Sequence, residues 1–320
     1  MKVLVTGAAG FLGCRVIRSL LSNTGGMPEV SRLVAADVTA CPIDDPRIDS
    51  RTGTILDPEF TGSIVEHDVD VVFHLAAVLS GQSEAEFDLG MRTNVDATRR
   101  LLDACRALGR RPRFVFASTV AVFGGDLPEV VPEDRVLQPQ SSYGTEKAIA
   151  ELIVSEYSRR GFIDGIICRL ATVTVRPGAP NSALSSFVSG IIREPLAGID
   201  AVCPVPLETR LWISSPGAVT DNLIHAARVP APALDGRAAV NLPGLCVTPA
   251  QMLASLERAG GAAARARVRC ELDPHVARVV STWPGALDDH RARRLGFTGD
   301  RDVDEVVRQY VDERARDPKG

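Results

Sequence analysis

The stretch Lys2-Val3-Leu4-Val5-Thr6-Gly7-Ala8-Ala9-Gly10-Phe11-Leu12-Gly13 decides the fold. A short apolar run ends in three glycines spaced three apart. A segment with Phe11, Ile17, Leu20 and Leu21 on one helical side follows. A strand, a glycine turn and a helix N-terminus make a cradle for a pyrophosphate. Without Cβ atoms the backbone N–H groups and the positive helix end can approach the phosphates. Gly7, Ala9, Gly10, Phe11, Leu12 and Gly13 are therefore the candidate phosphate-binding residues.

Outward from this turn, β-branched runs at 2–6, 32–36, 70–74, 113–118 and 165–170 alternate with amphipathic segments at 11–22, 58–67, 84–108 and 142–160. Right-handed crossovers convert that order into an α/β fold: a Rossmann-type, doubly wound parallel sheet with helices on both faces, spanning 1–170. Beyond residue 171 prolines cluster and the alternation fades. Residues 171–320 are expected to form a smaller C-terminal α/β substrate lobe, with some chain crossing back to the sheet. Helices are predicted there near 183–194, 216–228, 248–259, 287–295 and 302–315.

Of the 320 residues 36 are basic and 40 acidic, a net charge of -4 that leaves no surplus to neutralise a nucleic-acid backbone. No apolar stretch approaches a bilayer span, and Met1-Lys2 leads straight into the first strand, the pattern of a chain without a targeting segment. Seven scattered cysteines without a CxxC pair suit reduced thiols and a cytoplasmic location, and no metal site is predicted. Aromatic residues make up only 5%, which leaves few surfaces on which a base could stack.

Asp37 ends the second run, about where a carboxylate can accept from both adenosine ribose hydroxyls. Its charge would repel a 2′-phosphate, so the expected cofactor is NAD. Asp57 lies where an adenine amino group could be met, or where it caps the helix that starts at Pro58. Tyr143 and Lys147 stand four apart on one helix face. A phenol of pKa about 10 needs roughly 3 to 4 kcal/mol of anion stabilisation to act as a base near neutrality. A cation at about 4 to 5 Å in an effective dielectric of about 20 would supply that. The buried run Phe114–Ala117 ends in Ser118 and Thr119, hydroxyls able to hold a substrate oxygen in line for proton transfer; Thr119 is the first choice and Ser118 the second.

TGxxGxxG at 6–13, His74-Leu75-Ala76-Ala77, Asn94-Val95, Ser118-Thr119 to Phe123-Gly124, Tyr143-xxx-Lys147 and Arg169 to Pro177-Gly178 together resemble the extended short-chain dehydrogenase/reductases. That group includes sugar-nucleotide epimerases and dehydratases. The resemblance covers essentially the whole chain. It implies Tyr143 as acid/base, Lys147 on the nicotinamide ribose, Thr119 with Ser118 at the substrate oxygen, and Ala76 beside the cofactor. Asn94 matches a helix asparagine that supports a proton relay or fixes the helix, the structural role being favoured; His74 is also read as structural. Phe123 departs from the pattern, because a tyrosine usually precedes Gly124. A homodimer, pairing helices near 84–108 and 142–160, is a further implication.

A nucleotide sugar calls for cationic and aromatic groups in the second lobe. Between 171 and 280 the aromatic residues are Phe187 and Trp212, so a small hydroxy acid suits the lobe better. Arg176, Arg193 and Arg210 are available carboxylate partners. Phe123–Pro132, Gln140–Gly144, Ser189–Gly198 and Ala201–Pro206 are similar to a bacterial subgroup that oxidises the C2 hydroxyl of the four-carbon sugar acid D-erythronate with NAD. That similarity implies a small-molecule sugar acid as partner, with Ser80, Arg176 and Asn181 among the residues that bind it. The rival expectations are a nucleotide-sugar epimerase or dehydratase, and a protein that binds NAD without turnover.

Overall fold

The computed structural model describes residues 1–23, 26–178 and 185–316. In the first part the elements run β1 (Lys2–Thr6), α1 (Phe11–Ser22), β2 (Arg32–Asp37), β3 (Ile48–Thr52), α2 (Pro58–Ile64), β4 (Val71–His74), α3 (Ser80–Ala85), α4 (Phe87–Gly90), a π-helical stretch Met91–Ala97, α5 (Thr98–Ala107), β5 (Arg113–Thr119), α6 (Ser142–Arg159) and β6 (Asp164–Leu170). Then come β7 (Thr172–Val173), α7 (Ser186–Leu196), β8 (Ala201–Cys203), β9 (Leu211–Ser214), α8 (Pro216–Ala226), β10 (Ala239–Asn241), β11 (Leu245–Val247), α9 (Pro249–Ala266), β12 (Val268–Cys270), α10 (Pro274–Val280), α11 (His290–Arg294) and α12 (Val303–Arg316).

Seven strands form one parallel sheet in the order β10-β6-β5-β4-β1-β2-β3. Alternation along the strands supplies both faces. Val3, Val5, Leu33, Ala35, Phe73 and Val115 pack toward α1 and α8, through Val16, Ile17, Leu20, Val219 and Leu223. Leu4, Val34, Val72, Phe114 and Phe116 pack the other way, against Leu101 and Leu102 of α5 and Ala150 and Val154 of α6. A separate core gathers α7, α9 and α12 around β8, β9 and β12. After residue 171 the chain twice returns to the sheet, with α8 on one face and β10 at the edge beside β6.

Two strands of the seven-stranded sheet, and the short strands of the two smaller sheets, escape the sequence pattern. Ile48–Thr52 is a polar, half-exposed edge, and Ala239–Asn241 has only three residues. The helix predicted unbroken over 84–108 is divided: α3 is followed by α4 and by the π-helical turn at Met91–Ala97, where Thr98 donates its hydroxyl to the Asn94 carbonyl at 2.8 Å. Among the described residues no helix is long and apolar enough to cross a membrane.

The strand order reverses between β1 and β4, which opens a crevice at their carboxyl ends. His74, 1% exposed, ties this point together. Because the Thr98 proton is committed to the Asn94 carbonyl, His74 Nε2–H donates to Thr98 at 2.9 Å and Nδ1 accepts from Thr6 at 2.7 Å. Burial, with the Lys147 charge nearby, pushes the imidazole down to about 3. Only the unfolded chain takes up this proton between about pH 6.5 and about 3. Stability should therefore fall with pH over that window by up to about 1.4 kcal/mol per unit from this group. Urea unfolding across the window should show His74→Gln with a shallower pH slope than the native chain; equal slopes would contradict the role.

Candidate active site

Gly7 adopts φ +71°, and a Cβ there would lie 2.7 Å from the Ala76 nitrogen, so the turn passes directly under the end of β4. At Gly13 a Cβ would overlap the Gly7 carbonyl. No side chain caps the N-terminus of α1, so its first N–H groups face the crevice with helix-dipole charge behind them. The crevice encloses about 470 Å³ and runs from Asp37 and Val38, over Gly7, Gly10 and Ala76, to Arg176.

Asp37 carries two loads. Its carboxylate accepts from the Ala9 N–H at 3.0 Å and the Thr39 N–H at 3.2 Å, fixing the glycine loop while it lines the crevice. Asp57 resolves toward the cap: it accepts from the Glu59 N–H at 2.9 Å, and Ile55 and Leu56 line the crevice beside it. Phe11, Leu12 and Ala76 line it as expected.

Ser141 starts α6 by accepting from the Gly144 N–H at 3.1 Å. A Cβ at Gly144 would overlap the Ala121 carbonyl, so this glycine lets the first turn of α6 abut the turn after β5. Tyr143 is thereby brought to the strand end that carries Thr119, whose hydroxyl accepts from the Ala121 N–H at 3.1 Å and keeps its own proton to donate.

Ser118 is corrected by the geometry. Successive strand residues face opposite ways, and its hydroxyl, 2% exposed, donates to Glu151 Oε1 at 2.5 Å. Glu151 also takes the Arg169 guanidinium at 2.8 Å, in a buried pair behind the site.

Lys147 is 3% exposed. Its ammonium lies 4.2 Å from the Phe116 ring centroid and, among the described residues, makes no hydrogen bond. Burial pushes it down to about 8, against the opposing pull of Glu151 and Glu146. Tyr143 runs counter to expectation: burial first, then the Glu146 charge, push the phenol up to about 12, and Arg176 is the cation that pulls it back.

Asn94, expected beside the cofactor, does not line the crevice: it is 2% exposed and lies behind the wall. Its Oδ1 accepts from the Val78 N–H at 2.9 Å, and its Nδ2 donates to the Val78 carbonyl at 3.0 Å and to Glu146 at 2.5 Å. Ser80 opens α3, one residue past Leu79 of the wall. Arg176 lines the crevice end, its N–H held by Ser189 at 3.1 Å and its carbonyl by Arg193 at 2.9 Å. Arg210 pairs with Glu129 instead, and Arg193 with Glu194. Asn181 lies outside the described residues. Glu146 went unread in the sequence although it sits inside the Tyr143–Lys147 pattern; the signal available was a carboxylate between the two residues on a helix that also buries Lys147 and Glu151.

A cradle that a Cβ would fill, N–H groups uncapped and a buried ammonium without a hydrogen bond among the described residues all fit NAD; the turn would hold the pyrophosphate, Asp37 the adenosine ribose and Lys147 the nicotinamide ribose.

Comparison with known proteins agrees. Residues 3–208 match the NAD dependent epimerase/dehydratase family. D-erythronate dehydrogenase of Cupriavidus necator is 51% identical over 319 residues, covering 98% of both chains. The protein of that name from Haemophilus influenzae is 42% identical, over 98% of this chain and 99% of its own. The crystal structure of a nucleoside-diphosphate-sugar epimerase from Agrobacterium tumefaciens superposes with a TM-score of 0.95 at 38% identity, over 99% of this chain and 95% of that one.

Asp37→Ala is expected to weaken NADH binding about tenfold and to narrow the preference for NADH over NADPH, read by fluorescence titration of both cofactors. An unchanged preference would remove Asp37 from cofactor selection.

Proposed function

The chain belongs to the NAD dependent epimerase/dehydratase family, and on that footing we propose that it oxidises the C2 hydroxyl of a small sugar acid, D-erythronate, to 2-dehydro-D-erythronate. It is an NAD-dependent oxidoreductase. The observation that carries the substrate reading is Arg176. Its guanidinium is largely buried at the crevice end, within electrostatic reach of the Tyr143 phenol, and among the described residues it has no ion pair. Burial, then Arg193, pull its pKa down, so an incoming carboxylate would relieve an uncompensated charge.

In this reading Arg176 takes the carboxylate and sets the neighbouring carbon beside Tyr143. Thr119 donates to the hydroxyl oxygen, and Tyr143 removes its proton as hydride leaves the same carbon. NAD+, when bound, supplies the hydride acceptor and a positive charge. Lys147 holds the ribose with an ammonium that the ligand-free protein leaves without a hydrogen bond. The phenol, near 12 in the ligand-free protein, becomes a base once the positive charge of bound NAD+ is beside it.

The alternative, a nucleotide-sugar epimerase or dehydratase, draws on the Agrobacterium structure. It would need a surface for the base, whereas Trp212 is 7% exposed inside an apolar cluster and Phe187 packs on the second core. Exposed Phe87 and Leu152, on the helices expected to pair two copies, support a homodimer.

Arg176→Met is expected to raise KM for the acid about ten- to hundredfold while leaving NADH affinity as it is. Equal KM values in the two proteins would sink the carboxylate role. Tyr143→Phe should lower kcat about 10²- to 10⁴-fold with cofactor binding retained, and near-normal turnover would remove the phenol from the reaction.

A further inference from the structure

Glu146 is a fully buried carboxylate on the catalytic helix, one residue from Lys147 and three from Tyr143. Its surroundings are built for it. A Cβ at Gly90 would overlap Glu146 Oε1, so the glycine on the facing segment makes the room. Oε2 accepts from Asn94 Nδ2 at 2.5 Å and from the Ser83 hydroxyl at 2.9 Å, whereas Oε1 is buried without a partner.

These contacts join the crevice wall to α6. Asn94 holds both backbone groups of Val78, and Val78 and Leu79 line the crevice wall. Ser83 lies in α3, and Glu84 of the same helix accepts from the Ser142 N–H at 3.0 Å. The wall from Val78 to Glu84 is therefore tied to the turn of α6 that carries Tyr143.

The charge of Glu146 also differs from that of its neighbour Glu151. Glu151 is held by Arg169 in a close buried pair. Glu146 receives only neutral donors, so its field falls on Tyr143 and adds to that of Glu151, the larger of the two at Lys147. The charged and titratable groups facing Tyr143 and Lys147 from other elements are His74 of β4, held neutral, Arg169 of β6, spent on Glu151, and Arg176 at the crevice end.

We propose that Glu146 is a positioning residue of the reaction: it pins the crevice wall to α6, and its charge joins that of Glu151 in holding the Lys147 ammonium protonated and raises the pH at which Tyr143 works. The Glu146 charge raises both the phenol and the ammonium in the ligand-free protein. Removing it should lower both. The acid limb of the oxidation, where Tyr143 must lose its proton, then moves to lower pH. The alkaline weakening of NADH binding, where Lys147 loses its own, moves the same way. The inference rests on Tyr143 and Lys147 as the acting pair and not on which acid is oxidised.

The test compares Glu146→Gln, Glu146→Asp and the native enzyme in two measurements: the pH dependence of kcat and kcat/KM with D-erythronate, and NADH affinity against pH by fluorescence without substrate. Glu146→Gln should displace both profiles toward acid by about one pH unit, and Glu146→Asp, which keeps the charge, should stay near the native position. Glu146→Ser, which leaves room for water against Gly90, carries the same expectation should the glutamine variant not fold. A folded charge-free variant with unmoved profiles would overturn the proposal, as would failure of both to fold, which would make Glu146 a structural residue only. NADH binding is read without any acid. A displaced binding profile beside absent D-erythronate oxidation would thus count against the substrate reading alone.

Discussion

Burying an ammonium costs several kcal/mol unless something compensates it, and Lys147 is buried with no hydrogen bond among the described residues. The compensation is distributed: the face of Phe116 on one side, Glu146 and Glu151 along its own helix, and a cofactor still to come. Much of the surrounding structure follows from holding that charge in place. Arg169 reaches across from β6 to pair with Glu151, Ser118 turns inward to the same carboxylate, and His74 stays neutral because it is buried, with the Lys147 charge adding to that.

The fold supplies the geometry around this charge. A parallel sheet packed on both faces fixes the carboxyl ends of β1, β4 and β5 side by side, with Thr6 opposite His74 and His74 opposite Phe116. Gly7 lets the phosphate turn slide under β4, and Gly144 lets the catalytic helix abut the turn after β5. Both are close approaches of backbone to backbone, so rigidity at the site comes from main-chain packing rather than from long side chains. The second lobe adds Arg176, clamped through its own backbone by Ser189 and Arg193, and offers no exposed aromatic surface among its described residues for a nucleobase.

Much of this was legible in the sequence where local chemistry dictates it. The first strand, turn and helix are written in alternating apolar residues and glycines, and the Tyr143–Lys147 spacing marks one helix face. What escaped depends on neighbours distant in the chain. Ile48–Thr52 becomes a strand only because β2 offers an edge, and the room that Gly90 leaves for Glu146 is visible only once the two segments face each other. The direction of Ser118 follows from strand parity, which places it beside Glu151, 33 residues further along. The raised phenol was misjudged because the motif suggests a helpful cation but shows neither the burial of the phenol nor the effect of the carboxylate between the two residues.

The central claim is that this site turns NAD+ over on a small acid. Following NADH absorbance while the enzyme meets a panel of four-carbon aldonates and, separately, UDP- and dTDP-sugars tests it most directly. Net NADH should accumulate with D-erythronate and not with the nucleotide sugars. No accumulation with any acid, together with conversion of a nucleotide sugar at constant NADH, would contradict it.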